Sequence, residues 1–265
     1  MPPFARGPAI LLATCCALVQ PSAHSAEPIA TDRPDFVESS EVVGKGRWQL
    51  ETSLAYERDR NPDGRERTVA TPSLLRLGIG DTVELRIQTD GRTVMHATPP
   101  GGPRSTTTGY ADTALGLKWH ALDPAGGRPS LGLLLHADLD SGSRGLRGQG
   151  VRPSLRVAAE WELAAGMSLG VMPGVGVERD DAGRRYRFGI LGVVVGKQFG
   201  ERLRGFAELA LPQLARGRHG GTRASVDVGA AWLLSDDCQL DAMLSRGLNR
   251  RTPDLAFTVG LSFRH

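Results

Sequence analysis

The sequence predicts an all-β protein, an antiparallel up-and-down transmembrane β-barrel of about 12 strands after a cleaved signal peptide. Three observations predict it. Residues 254–265 alternate apolar with polar or small side chains without a break. Similar alternating segments fill most of the chain before them, and the connections between segments are alternately short and long. Period-two alternation is typical of strands, and sorted connection lengths are typical of membrane barrels.

Composition fits this class and excludes others. The chain has 265 residues, a formal net charge of +3 and 40% hydrophobic residues. Beyond the N-terminus no stretch holds about 18 consecutive apolar residues, so helical membrane spans are excluded. The length suits one undivided barrel. Arginines supply most of the basic charge, but they are scattered and match no nucleic-acid motif, so no nucleic-acid partner is expected.

The N-terminus predicts export. Residues 1–26 read as a signal peptide, with Arg6, an apolar run over 9–19 and small residues over 23–26. Residues 27–46 would then be a periplasmic leader, and residues 47–265 the barrel. Cys15 and Cys16 would leave with the signal peptide, so Cys238 would stand alone. A disulfide framework and a cysteine-based zinc site are therefore excluded.

Alternation starts at Trp48 and continues to the end of the chain. The clearest strands lie near 48–57, 83–88, 114–119, 154–161, 225–232 and 255–264. Less regular strands are predicted near 68–78, 130–139, 167–178, 186–199, 203–211 and 238–248. Segment 186–199 is apolar on both faces around Gly192, which predicts a bulge or a crowded wall of the lumen. The last strand should pair with the first and leave no open edge.

Connection lengths predict the orientation. Short turns are expected near 78–81, 124–129, 164–166, 200–202 and 235–237. Long loops are expected at 58–66, 90–109, 140–150, 179–185, 212–222 and 249–253. Short turns of outer-membrane barrels face the periplasm and long loops face outward, so both ends of the barrel segment should be periplasmic.

The large aromatic side chains are predicted to lie at the two ends of the barrel according to their type. Such rings favour the membrane–water interface. The tryptophans predicted at the periplasmic interface are Trp48, Trp119, Trp161 and Trp232. The tyrosines predicted at the outer rim are Tyr56, Tyr110 and Tyr186.

Several short motifs resemble one family. Residues 31–39 (TDRPDFVES) and 44–51 (GKGRWQLE) are similar to the opening of the family named for the "MetA-pathway of phenol degradation". Residues 75–78, 83–86, 116–119, 239–241 and 260–264 resemble its later motifs. The chain departs from it at 138–142 and in ending on His265 rather than Phe. The resemblance implies an outer-membrane protein of a Gram-negative bacterium that transports an unidentified small solute.

Charged side chains of both signs are predicted to face the lumen. They either form a polar pathway that selects solutes or pair with one another and tie the strands together, and the second interpretation is favoured because buried charges need partners. The predicted lumen-facing residues are Glu51, Glu84, Arg86, Lys118, Arg156, Glu160, Arg187, Arg204, Glu208, Asp227 and Asp241.

The leader carries its own charged motif, Asp32-Arg33-Pro34-Asp35. This segment is too polar to cross lipid. It either enters the periplasmic mouth of the barrel as a small plug or stays a mobile leader. The plug is favoured because a bare leader has no need of paired charges flanking Pro34.

The predicted outer loops are rich in arginine. Guanidinium groups suit phosphate, so lipopolysaccharide in the surrounding outer-membrane lipid is one expected partner, and a merely solvated rim is the alternative. The C-terminal strand is expected to engage the barrel-assembly machinery. The rim arginines are Arg58, Arg60, Arg65, Arg92, Arg104, Arg144, Arg147, Arg184, Arg185, Arg216, Arg218, Arg250 and Arg251.

Catalysis and cofactors are not expected. The histidines have no metal-ligand spacing, and His136 with Asp138 and Ser141 lacks a hydrolase signature. The expected function is passive passage of small solutes, hydrophobic or aromatic ones among them. The alternative is a closed barrel with a structural or surface role. Lumen glycines that would leave free volume favour the channel: Gly170, Gly174, Gly176, Gly229 and Gly260.

Overall fold

The structure, a computed structural model, describes residues 28–180 and 182–265. The signal peptide predicted at 1–26 lies outside these residues. Within them, no helix is long and apolar enough to cross a membrane. The strands are β1 (Trp48–Asn61), β2 (Gly64–Ala70), β3 (Ser73–Gly78), β4 (Val83–Thr89), β5 (Arg92–Thr98), β6 (Ser105–Tyr110), β7 (Thr113–Leu122), β8 (Ser130–Asp138), β9 (Arg152–Leu163), β10 (Met167–Arg179), β11 (Arg185–Phe199), β12 (Leu203–Leu214), β13 (Arg223–Ser235), β14 (Cys238–Gly247) and β15 (Leu255–Arg264).

Twelve of these strands form a closed antiparallel ring, which confirms the predicted barrel. The order around the ring is β1, β3, β4 and then β7 to β15, and β15 pairs back onto β1. The closing register runs from Gln49 opposite Arg264 to Arg58 opposite Leu255. The Trp48 ring meets the Phe263 ring edge-on at 5.3 Å. Closure removes the exposed edge that an open sheet would present to other chains.

The other three strands, β2, β5 and β6, continue β3, β4 and β7 beyond short interruptions at 71–72, 90–91 and 111–112. Pro72 has no N–H to donate to a ladder. Gly91 has φ +64°, and a Cβ there would lie 2.3 Å from the carbonyl oxygen of Thr71. The predicted loops 58–66 and 90–109 are therefore largely strand, and that prediction was wrong. Both segments lack an apolar face, so hydrophobic alternation could not reveal them.

The connections differ at the two ends of the barrel, as predicted. One end, the turn end, carries the short connections, the start of β1 and the end of β15. The opposite end, the loop end, carries the extension strands and the segments 139–151, 182–184, 215–222 and 248–254. By the general rule for outer-membrane barrels, the turn end faces the periplasm.

The two faces of the wall differ in chemistry, because successive side chains of a strand point to opposite sides. Along β1, Gln49 and Glu51 are buried in the lumen, whereas Leu54 is 58% exposed on the outside. The other strands place Leu85, Leu115 and similar large apolar side chains on the outer surface. The outside is thus an apolar belt that suits lipid.

All four tryptophans lie toward the turn end, and Trp119 and Trp232 are exposed on the outer face. Tyr110 is 61% exposed at the loop end. Tyr56 lies five positions before the end of β1 rather than at its end.

The predicted interface position of Tyr186 needs correction. Its ring stacks on His219 at 4.7 Å, and its hydroxyl donates to Oε1 of Gln213 at 3.4 Å. Tyr186 shares the inward-facing positions of β11 with the buried Ile190 and Val194, so it is at the rim but faces the lumen. β11 is apolar on both faces, which hid this orientation from the sequence pattern.

The irregular strand predicted at 186–199 shows both expected features. Pairing of β11 with β12 shifts register between Gly189 and Leu191. Gly192 faces a crowded lumen, where an added Cβ would lie 2.5 Å from Cγ2 of Val37.

Candidate functional site in the barrel lumen

Residues 28–46, hereafter the leader, begin and end at the turn end of the barrel, and their middle part lies inside the turn-end half of the lumen. The N–H of Ile29 donates to the carbonyl of Asp236, in the turn between β13 and β14, at 2.7 Å. The chain then runs into the lumen and returns to Gly44, whose carbonyl oxygen lies so near Gly78 that no Cβ would fit there. The leader is thus a re-entrant segment that enters and leaves at the same end.

One side of the leader is held by charge. Asp32 is 4% exposed, and its carboxylate accepts hydrogen bonds from Lys118 Nζ at 2.7 and 2.8 Å and from Arg86. Arg76 Nη1 lies 3.6 Å from the same carboxylate. Burial raises the pKa of Asp32, but the positive charges of Arg76, Lys118 and Arg86 outweigh it and hold that pKa well below its ordinary value.

Glu38 extends this network across the lumen. Its carboxylate lies 2.6 Å from Arg86 Nη2 and 2.7 Å from Arg156 Nη1. Burial by itself raises the pKa of Glu38, but the positive charges of Arg86 and Arg156 outweigh burial. The pKa of Glu38 therefore lies below its ordinary value. The wall adds its own pairs, because Arg76 lies 2.9 Å from Glu84 and 3.2 Å from Glu51. Each charged side chain of this network therefore has a partner of opposite sign, as buried charges require.

The returning arm of the leader binds β8 and β9 through hydroxyl and backbone groups. The N–H and Oγ of Ser40 both donate to Oε2 of Glu160 at 2.6 Å. Its Oγ also lies 2.7 Å from Oγ of Ser130. Closer to the turn end, the N–H of Val43 donates to Glu84 at 3.0 Å.

The tip of the leader is held differently. Glu208 on β12 accepts the N–H groups of Phe36 and Val37 at 2.8 and 2.7 Å. Val37 packs in an apolar cluster with Met172, Val194 and Phe206. Asp35 pairs with Arg204 at 3.2 Å, but burial outweighs that attraction and raises the pKa of Asp35.

Glycines of the wall make room for this tip. A Cβ at Gly192 would meet Val37 and Phe36, and a Cβ at Gly170 would lie 3.1 Å from Cγ1 of Val37. The prediction that lumen glycines leave free volume was therefore wrong here. The other glycines of that set are covered by neighbouring groups of the wall: Gly174 by Arg156, Gly176 by Phe188, Gly229 by Phe206 and Gly260 by Asp241.

The loop-end half of the lumen, in contrast, holds a cavity of about 680 Å³, hereafter the vestibule. Asp112, beside its wall, orders the loop 139–151. Its carboxylate accepts the N–H groups of Ser141, Gly142 and Gly148 at 2.7–3.1 Å and lies 2.7 Å from Arg152 Nη2. The vestibule is lined by charges of both signs and by Tyr186 and His219.

Eight of the predicted lumen residues surround the leader: Glu51, Glu84, Arg86, Lys118, Arg156, Glu160, Arg204 and Glu208. Asp227 and Asp241 are also buried inside the barrel, where Asp227 lies opposite Glu208 in the register and Asp241 opposite Gly260. Within the leader motif, Arg33 Nη2 donates to Oγ of Ser53 at 3.1 Å.

The predicted lumen-facing position of Arg187 was wrong. This residue is exposed on the outer face of β11, because it alternates with the inward Tyr186. Arg76 also faces the lumen but was not predicted from the sequence. Its position between Leu75 and Leu77 was the signal, because alternation with two outward leucines points Arg76 inward.

Ser141 has a structural role in the described chain. Its Oγ accepts the N–H of Thr113 at 2.9 Å, which fixes the loop against β7. His136 Nε2 lies 3.4 Å from Asp138. Within residues 28–180 and 182–265, no group of three or more His, Cys, Asp or Glu side chains is arranged to hold a metal ion.

One sequence family spans both the leader and the barrel. The family described as "Putative MetA-pathway of phenol degradation" matches residues 31–265, which include the leader motif and the whole barrel. The chain belongs to this family. No curated protein matches it by sequence.

Solved structures share the fold. An outer-membrane channel of Pseudomonas putida F1 superimposes with a TM-score of 0.64 at 12% identity, covering 88% of this chain and 99% of that one. The β domain of the Bordetella autotransporter BrkA gives 0.57 at 14% identity, covering 83% and 99%. The KdgM porin gives 0.51 at 11% identity, covering 81% and 98%. This member of the family is an outer-membrane β-barrel.

Proposed function

We propose that the protein is a channel for passive passage of small solutes across the outer membrane, hydrophobic or aromatic solutes among them. One observation carries the proposal. The middle of the turn-end half of the lumen is occupied by a separate segment, the leader, and the side chains of the barrel wall there contact this segment. A barrel built only as a closed scaffold would fill that space with wall side chains. The vestibule above the leader is an entry of suitable size.

In this proposal the leader is a plug whose displacement opens the pathway. It joins β1 through Gly44 and Gly46, which have φ of +81° and +76°. Glycine adopts such backbone angles without steric cost, so the joint can change conformation easily. The side facing β3, β4 and β7 is anchored by several buried ion pairs, whereas the tip is held by two hydrogen bonds, apolar packing and the single ion pair of Asp35 with the partly exposed Arg204. The tip is the part that we expect to move.

The solute class rests on the family and on the vestibule. The family description names phenol degradation, and two of the similar structures are a channel and a porin. The stacked Tyr186 and His219 rings offer an aromatic surface at the vestibule wall. Enzymatic activity forms no part of the proposal.

The proposed function includes two partners in the outer membrane. The outer rim would contact lipopolysaccharide in the surrounding outer-membrane lipid. The barrel-assembly machinery would engage β15, the strand that closes the ring onto β1.

Single-channel recording in planar bilayers tests the channel function. The full mature chain should give discrete conductance steps, and millimolar hydroquinone, a small aromatic, should reduce the current more than arabinose does. Removal of residues 28–43 should give larger steps, because the remaining wall encloses the lumen alone. If neither protein gives steps, the closed-barrel alternative is correct.

A further inference from the structure

The β1–β2 hairpin at the loop end sorts its charges by face. Its sequence alternates acidic and basic residues, with Glu57, Arg58, Asp59 and Arg60 before the turn and Arg65, Glu66 and Arg67 after it. In the register Arg58 lies opposite Arg67, and Arg60 lies opposite Arg65. Residues directly opposite in an antiparallel pair point to the same side. Arg58, Arg60, Arg65 and Arg67 therefore form one patch, hereafter the arginine cluster.

The arginine cluster faces away from the lumen. It occupies the same alternate positions as Leu54, Tyr56 and Val69, which are exposed on the outer surface. The acidic residues occupy the opposite face, where Glu57, Asp59 and Glu66 line a groove with Arg223 and Arg251. The hairpin is thus acidic inside and basic outside.

This arrangement is unfavourable for the isolated protein. Like charges directly opposite each other in a sheet destabilise the pair. Among the residues that the structure describes, no carboxylate lies within 4.0 Å of any of these four guanidinium groups, and Nε of Arg58 is buried without a hydrogen-bond partner. Clustered guanidinium groups without carboxylates are suited to an anion from outside the chain, and their paired N–H groups suit phosphate oxygens.

The height of the cluster on the barrel identifies the source of that anion. Tyr56, Val69, Val94 and Phe257 lie on the outer face immediately below it, in the paired strands β1, β2, β5 and β15. Arg58 is two positions beyond Tyr56, a rise of about 7 Å along the strand. An amphipathic Tyr ring marks the membrane interface, so the cluster is at the level of lipid headgroups.

We propose that the arginine cluster is a binding site for the phosphate groups of a phosphorylated lipid of the outer leaflet. The site rests on the lipid contact proposed above and is independent of conduction. Bound phosphates would compensate the opposed arginine pairs, so the lipid would stabilise the hairpin. Opposite Arg67, the His96 side chain pairs with Oγ1 of Thr106 at 2.9 Å and adds polar groups beside the cluster.

Native mass spectrometry of the full mature chain in detergent tests the site, with diphosphorylated lipid A as the probe. The R58Q/R60Q/R65Q/R67Q variant should bind lipid A about tenfold or more weakly than the wild type. A matched control, K45Q/R47Q/R128Q/R202Q, removes four exposed cations at the turn end and should bind within about twofold of the wild type. Dephosphorylated lipid A should bind the wild type as weakly as the cluster variant binds lipid A.

The proposal is overturned if the cluster variant binds lipid A as tightly as the wild type does, or if the wild type binds dephosphorylated lipid A as tightly as lipid A. It is also overturned if inorganic phosphate, at the same concentration as lipid A, displaces the lipid completely, because the site would then bind free phosphate. Folding is checked by thermal stability without lipid, which should stay equal or rise when the opposed charges are removed. Conductance in lipid-A-free bilayers should be unchanged in the variant. If the wild type conducts normally but does not bind lipid A, only the lipid site is overturned. If the wild type binds lipid A but gives no conductance steps, only the channel function is overturned.

Discussion

Asp32 and Lys118 are 86 positions apart in the sequence, yet both carboxylate oxygens of Asp32 accept hydrogen bonds from Lys118 Nζ at 2.7 and 2.8 Å. Both side chains are essentially inaccessible to solvent. This contact joins the leader to the barrel wall at the centre of a network that also contains Arg76 and Arg86. The leader is therefore an integral part of the lumen, and its release requires several buried ion pairs to separate together.

Asp32→Asn should release the leader. The substitution leaves Arg76, Arg86 and Lys118 with one negative charge fewer, and removal of one partner of a buried ion pair typically costs about 3–5 kcal/mol. In single-channel recordings we expect longer open times and larger steps than in the wild type. Asp63→Asn, at the exposed tip of the β1–β2 hairpin, is the matched control and should leave the recordings unchanged. Identical traces for Asp32→Asn and wild type would show that the charge of Asp32 does not hold the leader.

Gly192→Ala should displace the tip of the leader without breaking an ion pair. The new Cβ would lie 2.5 Å from Cγ2 of Val37 and 3.0 Å from Cδ1 of Phe36, both too close for unchanged packing. The barrel itself should fold, because the clash is with the leader. In a Cys238→Ser, Val37→Cys background, maleimide should label Cys at position 37 faster when Gly192→Ala is present. Gly80→Ala, whose added Cβ would have its nearest contact at 3.9 Å, should not change the labelling rate.

Docking of the leader should depend on pH in a defined direction. Asp32 and Glu38 have lowered pKa values, so their stabilisation is complete above their ordinary values of 3.8 and 4.5 and is lost as the pH falls through the lowered pKa values. Asp35 has a raised pKa, so its protonation as the pH falls favours docking. We expect channel closure to persist or strengthen on mild acidification and to fail only at pH below 3.8. Opening between pH 7 and pH 5 would contradict these assignments.

Asp112→Asn should loosen the loop that covers the vestibule. The carboxylate accepts three backbone N–H groups of segment 139–151 and pairs with Arg152, and hydrogen bonds to charged groups contribute about 1.5–3 kcal/mol each. Trypsin added to whole cells should then cut after Arg144 and Arg147 faster than in the wild type. Asp123→Asn, in an exposed connection at the turn end, is the control. Equal cleavage rates would mean that other contacts hold this loop.

The sequence predicts the wall of the barrel much better than its contents. Strands with one apolar and one polar face, such as β1 and β15, were recognised because lipid and lumen impose opposite chemistry on alternate residues. The extension strands β5 and β6 were not, since neither alternates apolar with polar residues: β6 consists mostly of Ser and Thr, and in β5 the neighbouring Val94 and Met95 point to opposite faces. Arg187 was assigned to the wrong face because β11 is apolar on both sides. The contacts between the leader and the wall could not be predicted, because no local pattern specifies partners so distant in sequence.

A disulfide between the leader tip and the wall tests the central claim, that leader displacement opens the channel. In a Cys238→Ser background, Val37→Cys and Gly192→Cys should form it, since Val37 and the Gly192 Cβ position are in direct contact. The oxidised protein should give no conductance steps in planar bilayers, and reduction by dithiothreitol in the same bilayer should restore them. The two single-cysteine proteins should not respond to the reductant. Equal conductance before and after reduction, with the disulfide verified by mass spectrometry, would contradict the account.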